Sequence, residues 1–202
     1  MVVQCDFCEG RPQYRDRQTG QYLCLEHARL QVAAPGRRPS GPPLAIRPAM
    51  ADDYARIEEL ALYFWDETEV DCFDRQYDVL ACPAFVACEG DEVVGLASYA
   101  VEGAWDAIVL VMLNLLPDWQ GRGGGRALLE AIHDEAARCG LARLLVVTSN
   151  DDLPALALYQ RYGFRIIEVI PGRLAQHHGA ELAGFAGIPV RDEIRLEVQL
   201  EM

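Results

Sequence analysis

Residues 118–132, DWQGRGGGRALLEAI, place four glycines in five positions and then open a helix. Such a loop between an apolar strand and a helix start can aim successive backbone N–H groups at one point. The missing Cβ atoms let an anion approach them closely. Three chemistries use loops of this kind. A P-loop ends in Gly-Lys-Ser/Thr, and a chain without a single lysine excludes it. A dinucleotide fingerprint, Gly-x-Gly-x-x-Gly, would need glycine at the sixth position counted from Gly121, where Arg126 stands, and no early βαβ unit surrounds it. A diphosphate cradle remains, formed by Gln120, Gly121, Arg122, Gly123, Gly124, Gly125 and Arg126.

A second constellation lies near the start. Cys5 and Cys8 form one pair separated by two residues, and Cys24 and His27 another. Zinc takes a tetrahedron of thiolate and imidazole, and a two-residue spacing lets one tight turn present both members of a pair. Four ligands leave no open position, so the predicted site is structural rather than catalytic. The stretch between the pairs reads as two short strands, carrying Tyr14 and Tyr22, around the turn Gln18-Thr19-Gly20. A unit of this size builds no core alone, and bound Zn2+ would supply its folding energy. Residues 1–30 are similar to a short zinc ribbon or treble-clef knuckle. Residues 31–43, QVAAPGRRPSGPP, read as a Pro/Gly/Arg linker.

Charge divides the chain. Residues 1–43 hold six arginines against four acids, while residues 44–202 hold twelve against 27, within an overall net charge of −13. The acidic body repels nucleic acid and favours cationic partners such as amines. The small positive charge of the first segment is too weak for strong phosphate affinity, so a protein is the better-fitting partner there. The longest apolar run falls well short of the ~20 residues a membrane span requires. The N-terminus lacks a basic start followed by an apolar stretch, so a cytoplasmic location is expected. Seven cysteines without an export signal argue against a disulfide framework.

The elements that must position the glycine loop follow from periodicity. Leu44–Pro48 reads as a strand, and Ala51-Asp52-Asp53 starts a helix with Ile57, Leu60, Ala61 and Phe64 on one face. The acidic stretch 66–78 is expected to hold a second helix or an active-site loop. Phe85–Cys88 and Val93–Tyr99 form a hairpin around Glu89-Gly90-Asp91, and Ile108–Leu115 is a strand buried on both faces. A helix over 124–138, a strand over 144–148, a helix over 153–162 and strands over 164–169 and 193–200 complete an α/β domain, 44–202. It is a mixed sheet with helices on both sides.

LNLLPDWQGRGGGRAL resembles the Gln/Arg-x-x-Gly-x-Gly/Ala signature of the GNAT (GCN5-related) N-acetyltransferases, through Gln120, Gly123 and Gly125. TSNDDLPALALYQRYGF is similar to the family's second signature, through Asn150, Ala155, Leu158, Tyr159, Gly163 and Phe164. The resemblance covers residues 44–202. It implies a mostly antiparallel sheet with a splayed central parallel strand pair, and acetyl-CoA as cosubstrate. It further implies that Leu113, Asn114 and Leu115 pair with the pantetheine arm, and that the backbone of Gly121–Arg126 holds the pyrophosphate. Asn150 would contact pantetheine or nearby backbone, and Tyr159 would protonate the departing thiolate. An amine would attack the thioester directly, without a covalent enzyme intermediate. A homodimer is compatible with the resemblance.

Many relatives carry a glutamate on the central strand, whereas Ile108-Val109-Leu110-Val111 is wholly apolar. Glu67, Glu69, Asp106 or a water chain are the candidates for accepting the amine's proton. Trp65 is expected in the core, while Phe73 and Tyr77 line either an acceptor pocket or the core. Cys72, Cys82, Cys88 and Cys139 are expected as buried thiols, and His177-His178 as an exposed pair. Two other functions compete with catalysis: a coenzyme-binding sensor without chemistry, and an adaptor acting through the zinc knuckle.

Overall fold

The computed structural model describes residues 14–15, 22–23, 42–178, 182 and 184–200. Cys5, Cys8, Cys24 and His27 lie outside them, as does the whole linker except Pro42 and Pro43. Within the first segment, β1 (Tyr14–Arg15) pairs antiparallel with β2 (Tyr22–Leu23), the two strands expected there.

The main unit runs β3 (Ala45–Pro48), α1 (Tyr54–Trp65), β4 (Glu69–Cys72), β5 (Arg75–Asp78), β6 (Ala84–Glu89), β7 (Glu92–Glu102) and β8 (Ala107–Leu115). It continues with α2 (Gly124–Arg138), β9 (Arg143–Ser149), α3 (Leu153–Tyr162), β10 (Arg165–Ile170), α4 (Arg173–His178) and β11 (Glu193–Gln199). Among the described residues, seven strands form one sheet in the order β10-β11-β9-β8-β7-β6-β3, and only β8 and β9 are parallel. The expected mixed, mostly antiparallel sheet is therefore present.

The acidic stretch is neither a helix nor a loop. Residues 69–78 form the β4–β5 hairpin, turning through Phe73 and Asp74, both at positive φ. Val70 and Cys72 are buried while Glu69 and Asp71 are exposed, a period of two hidden by the density of acids.

Two apolar layers sandwich the sheet. On one face α1 packs Ile57, Leu60 and Ala61 against Val86, Leu96, Val109 and Val111, with the hairpin's Val70 and Cys72 beside them. On the other, Leu128, Leu129, Ile132 and Ala136 of α2 meet Ile108, Leu110, Leu144 and Val146, with Tyr159 and Phe164. Each such side chain contributes roughly 1.5–3 kcal/mol on full burial, so layering outweighs any single polar contact. Asp53 starts α1: it accepts the Met50 N–H at 2.7 Å, and the Arg47 guanidinium holds both carboxylate oxygens at 2.6 and 2.9 Å.

A register shift decides the shape of the centre. Ser98 pairs with Met112 but Tyr99 with Leu110, so Val111 is an extra residue on β8. Such a bulge bends the strand and reverses side-chain parity. Ala107, Val109 and Val111 lie in the α1 layer and Met112 stays there with Val111, after which Leu113 and Leu115 belong to the α2 layer.

Close approach of β7 and β8 just beyond the bulge depends on Gly95. A Cβ there would lie 2.4 Å from Leu115 Cδ2 and 2.6 Å from the Asn114 carbonyl oxygen. Gly95→Ala should cost about 1–3 kcal/mol through overpacking, and thermal unfolding should show Tm lower by roughly 2–4 °C per kcal/mol lost. An unchanged Tm would contradict this packing.

Candidate active site

The β8–β9 ladder runs from Ala107 opposite Arg143 to Leu110 opposite Val146 and stops there. Beyond it, β8 stays with β7 and β9 stays with β11, so the two strands part. The bulge at Val111 sits at the point of parting.

Ladder phase identifies the backbone groups left over. The Leu116 N–H donates to Val94 O at 2.9 Å, which makes the 94/116 pair a hydrogen-bonded one. Such pairs alternate along an antiparallel ladder, so Asn114 and Met112 turn their N–H and C=O groups to β7. Leu113 and Leu115 turn theirs away, toward the opening. On the other side the Asn150 N–H donates to Asp192 O at 3.0 Å. The same alternation points Val147 and the Ser149 N–H into the opening, while the Ser149 carbonyl already accepts the Asp152 N–H at 3.3 Å. Buried backbone groups require partners, and an extended chain laid between the strands would supply them.

The mouth of the opening is lined by Trp65, Val111, Asn114, Thr148, Asp152 and Tyr159. Trp65 is not a core residue: it is 45% exposed, and its indole N–H donates to Asn114 Oδ1 at 2.9 Å, clipping the end of α1 onto β8. Tyr159 is buried in the wall on α3, with Phe164 5.5 Å away between ring centroids. Burial, with the Asp152 charge adding to it, drives its phenol far above the ordinary value, so it stays protonated.

Beside the opening, the glycine loop ends at the start of α2. Gly121 (φ 74°) and Gly123 (φ 93°) occupy the left-handed region that side chains resist. Gly123 is the N-cap, and no side chain caps this helix end. The Ala127 N–H reaches Gly123 O at 3.0 Å, which leaves the N–H groups of Gly124, Gly125 and Arg126 without intrahelical partners. At Gly124 a Cβ would lie 2.9 Å from Leu44 Cδ1 and 3.0 Å from Leu115 Cδ1, so glycine lets the helix sit directly on the strand. Three adjacent unpaired donors at a helix's positive end suit a diphosphate.

Several residues serve the loop rather than facing the opening. The Gln120 amide donates to Leu115 O at 2.9 Å, tying the loop back to β8. Glu89, the last residue of β6, accepts from Trp119 Nε1 at 2.6 Å and from Arg122 at 3.0 Å. Arg126 pairs with Glu130 at 2.9 Å and lies over the Tyr162 ring. Asn150 does not line the opening. Its amide donates to Pro189 O at 2.9 Å, and its Oδ1 accepts the N–H groups of Arg191 and Asp192 at 2.8 and 2.9 Å.

The carboxylates considered from sequence lie elsewhere. Glu67 and Glu69 are exposed, and Asp106 accepts the Ala142 N–H at 3.2 Å near the far end of β8. Asp152, which sequence reasoning passed over, is the carboxylate among the described lining residues. An aspartate directly before Leu-Pro at a helix start reads as a cap, and it is one: its Oδ1 accepts the Ala155 N–H at 3.1 Å. Cys72, Cys82 and Cys88 are buried as expected, but Cys139 is exposed at the end of α2. The residues described for α4 include His177 and His178 in its backbone. No His/Cys/Asp/Glu cluster fit for a metal occurs among the described residues, and none of their helices is long and apolar enough to cross a membrane.

A larger depression, about 360 Å³, lies under the hairpin turn between Phe73, Trp105 and Ile167. Its charges are already neutralised: Arg195 is held by Glu193, Glu168 and Asp74 at 2.6–3.0 Å, and Arg143 by Glu197 at 3.3 Å.

A sheet opened at the one parallel junction among the described strands, flanked by a glycine-rich helix start, defines an α/β fold with room for an extended ligand that carries an anion. Comparison with known proteins makes the class specific. Residues 48–164 match the Acetyltransferase (GNAT) family, and the chain belongs to it. The chain is 29% identical over 110 residues to the uncharacterized protein YdhI of Bacillus subtilis, covering 52% of this chain and 66% of that one, just under two thirds of its length. It is 29% identical over 143 residues to the L-amino acid N-acyltransferase MnaT of Escherichia coli, covering 63% and 83%. Among solved structures, a Bacillus subtilis acetyltransferase in complex with CoA shares the fold, with a TM-score of 0.59, 20% identity and coverage of 78% and 99%.

The hydrogen bonds of Asn150 predict a positioning role. Asn150→Ala should cost about 1–3 kcal/mol by stranding backbone donors. It should speed hydrogen exchange at the Arg191 and Asp192 amides while leaving CoA affinity near wild type. A large loss of CoA affinity with unchanged exchange would instead mark direct contact.

Proposed function

We propose that this chain is an acetyl-CoA-dependent N-acetyltransferase acting on a cationic amine by direct attack. The observation that carries the reading is the parting of β8 and β9 beside the uncapped start of α2. A diphosphate at Gly124–Arg126 and an extended pantetheine arm between the strands would satisfy both sets of unpaired backbone groups at once. CoA supplies the activated acetyl thioester; the residues of the chain bind, orient and move protons. The Leu113 backbone would pair with the arm from one side and Val147 and Ser149 from the other. A strand N–H on the β8 side would stabilise the charge that develops on the thioester oxygen. Tyr159, kept protonated by burial, would give its proton to the departing sulfur.

An amine acceptor is favoured by the exposed carboxylates of Glu67, Glu69 and Asp71 in the stretch that follows α1 and by the acidic body of the chain. The L-amino acid acceptors in the name of MnaT support the same bond type. Cys5, Cys8, Cys24 and His27 would hold a structural Zn2+, on the strength of their spacing. That unit would then be available to a protein partner.

CoA should release heat on binding the full chain in calorimetry. Gly123→Val forces a branched side chain to φ 93°, a strain of about 1–2 kcal/mol, and should weaken CoA roughly tenfold. Tyr159→Phe should lower acetyl transfer by roughly 10²–10⁴-fold without weakening CoA. Absence of binding heat would sink the reading, and full turnover by the Phe variant would remove Tyr159 from the chemistry. Elemental analysis should find stoichiometric zinc in the full chain and its loss in Cys8→Ser.

A further inference from the structure

The acceptor amine is an ammonium near neutrality, and its nitrogen cannot attack until a proton leaves. The stretch of β8 beside the opening is apolar apart from Asn114 and offers that proton no destination. We propose that Asp152, set into the opposite wall at the start of α3, is the general base that takes it. The assignment rests on the acetyltransferase reading above.

Position comes first. Asp152 lines the same opening as Tyr159, Thr148 and Asn114. One of its oxygens caps α3 through the Ala155 N–H, and the other has no protein partner among the described residues. The neighbouring carboxylates are placed elsewhere. Asp151 is buried, accepts the Phe185 N–H at 2.9 Å through one oxygen and is not among the described lining residues, and Glu193 is gripped by Arg195 and Arg173. Glu67 and Glu69 are not among the lining residues.

The surroundings suit the task. From α1 the opening receives Trp65, from β8 the apolar run and Asn114, from β9 Val146, Val147 and Thr148, and from α3 Ala155 and Tyr159. Tyr159 is the other titratable group among them, and no arginine or histidine is among the described lining residues. Burial pushes the Asp152 carboxyl up to about 6, the Asp151 charge adds to this, and the Ala155 N–H opposes both. A carboxylate with that value is ionised at neutral pH yet basic enough to hold a proton in transit. Its phenolic neighbour stays protonated, so one group is ready to accept and the other to donate.

The protons balance. Asp152 takes one proton from the ammonium, and the freed nitrogen lone pair forms the C–N bond to the acetyl carbon. The C–S bond breaks, its electron pair leaves with sulfur, and Tyr159 protonates the thiolate. The second amine proton returns to the Tyr159 oxygen, and the proton on Asp152 passes to solvent. The net products are amide, CoA thiol and one released proton.

Asp152→Asn tests this cleanly, because asparagine caps a helix as well as aspartate does. Acetyl transfer from acetyl-CoA to L-methionine and to spermidine would be followed by thiol release from about pH 5 to 9, with CoA affinity measured in parallel. The wild-type carboxylate is active when ionised, so kcat/KM should rise through about pH 6 and level off above it. The variant should lose roughly 10²-fold in kcat/KM on the plateau, lack the limb near 6, and keep its CoA affinity and Tm. A variant that retains the wild-type rate and limb overturns the assignment while leaving the acetyltransferase reading intact. A wild type that binds CoA but acetylates neither amine overturns both, and is told apart by the inactivity of the parent protein.

Discussion

Everything about this molecule's centre follows from one unmet demand: backbone N–H and C=O groups must be paired, and at the parallel junction the pairing stops. Four residue pairs connect β8 to β9, and then the extra residue at Val111 bends β8 toward β7. An antiparallel sheet would close such a gap with its next hydrogen bond. Here each strand has a second neighbour to follow, so Leu113 on one side and Val147 and Ser149 on the other face an opening. The unpaired groups constitute a template for an extended ligand, and no side chain needs to recognise its sequence.

The layers on either side turn that gap into a usable site. α2 sits on β8 with glycine at the contact, which brings its uncapped end to the edge of the opening. α3 supplies the far wall, where Asp152 and Tyr159 are two turns apart along the helix. Ties from outside keep this geometry in place: Gln120 to Leu115, Glu89 to Trp119 and Arg122, and Trp65 to Asn114. They are single hydrogen bonds or exposed ion pairs, each contributing about 1 kcal/mol or less. The apolar layers provide the stability, and the polar ties select one arrangement among those the layers would permit.

Much of this was legible in the residues, and the exceptions have physical causes. The glycine loop announced itself because only glycine tolerates the positive φ and the close packing required there. The helices over 124–138 and 153–162 and the strands around them followed from apolar spacing. The β4–β5 hairpin did not, because its buried residues alternate for too short a stretch beneath a crowd of acids. The bulge was invisible for the opposite reason: in Ile108–Met112 every residue is apolar, so a reversal of parity leaves no trace in the pattern. Asp152 was concealed by its ordinary second duty as a cap, and Trp65 by the habit of tryptophan to be buried. Asn150 matched a signature position, and of the two contacts that the resemblance implied it makes the one to nearby backbone, on the segment preceding β11.

The supernumerary residue on β8 has a consequence for how the chain can vary. Conservative exchange of Val111 for another aliphatic residue preserves both layers, since only bulk is at stake. Deleting it restores strict alternation without moving any neighbour across the sheet, since Met112 stays in the α1 layer and Leu113 and Leu115 in the α2 layer; what is lost is the bend at the point where β8 and β9 part. Along this strand, then, the extra residue governs where the strands separate, not which layer its neighbours join.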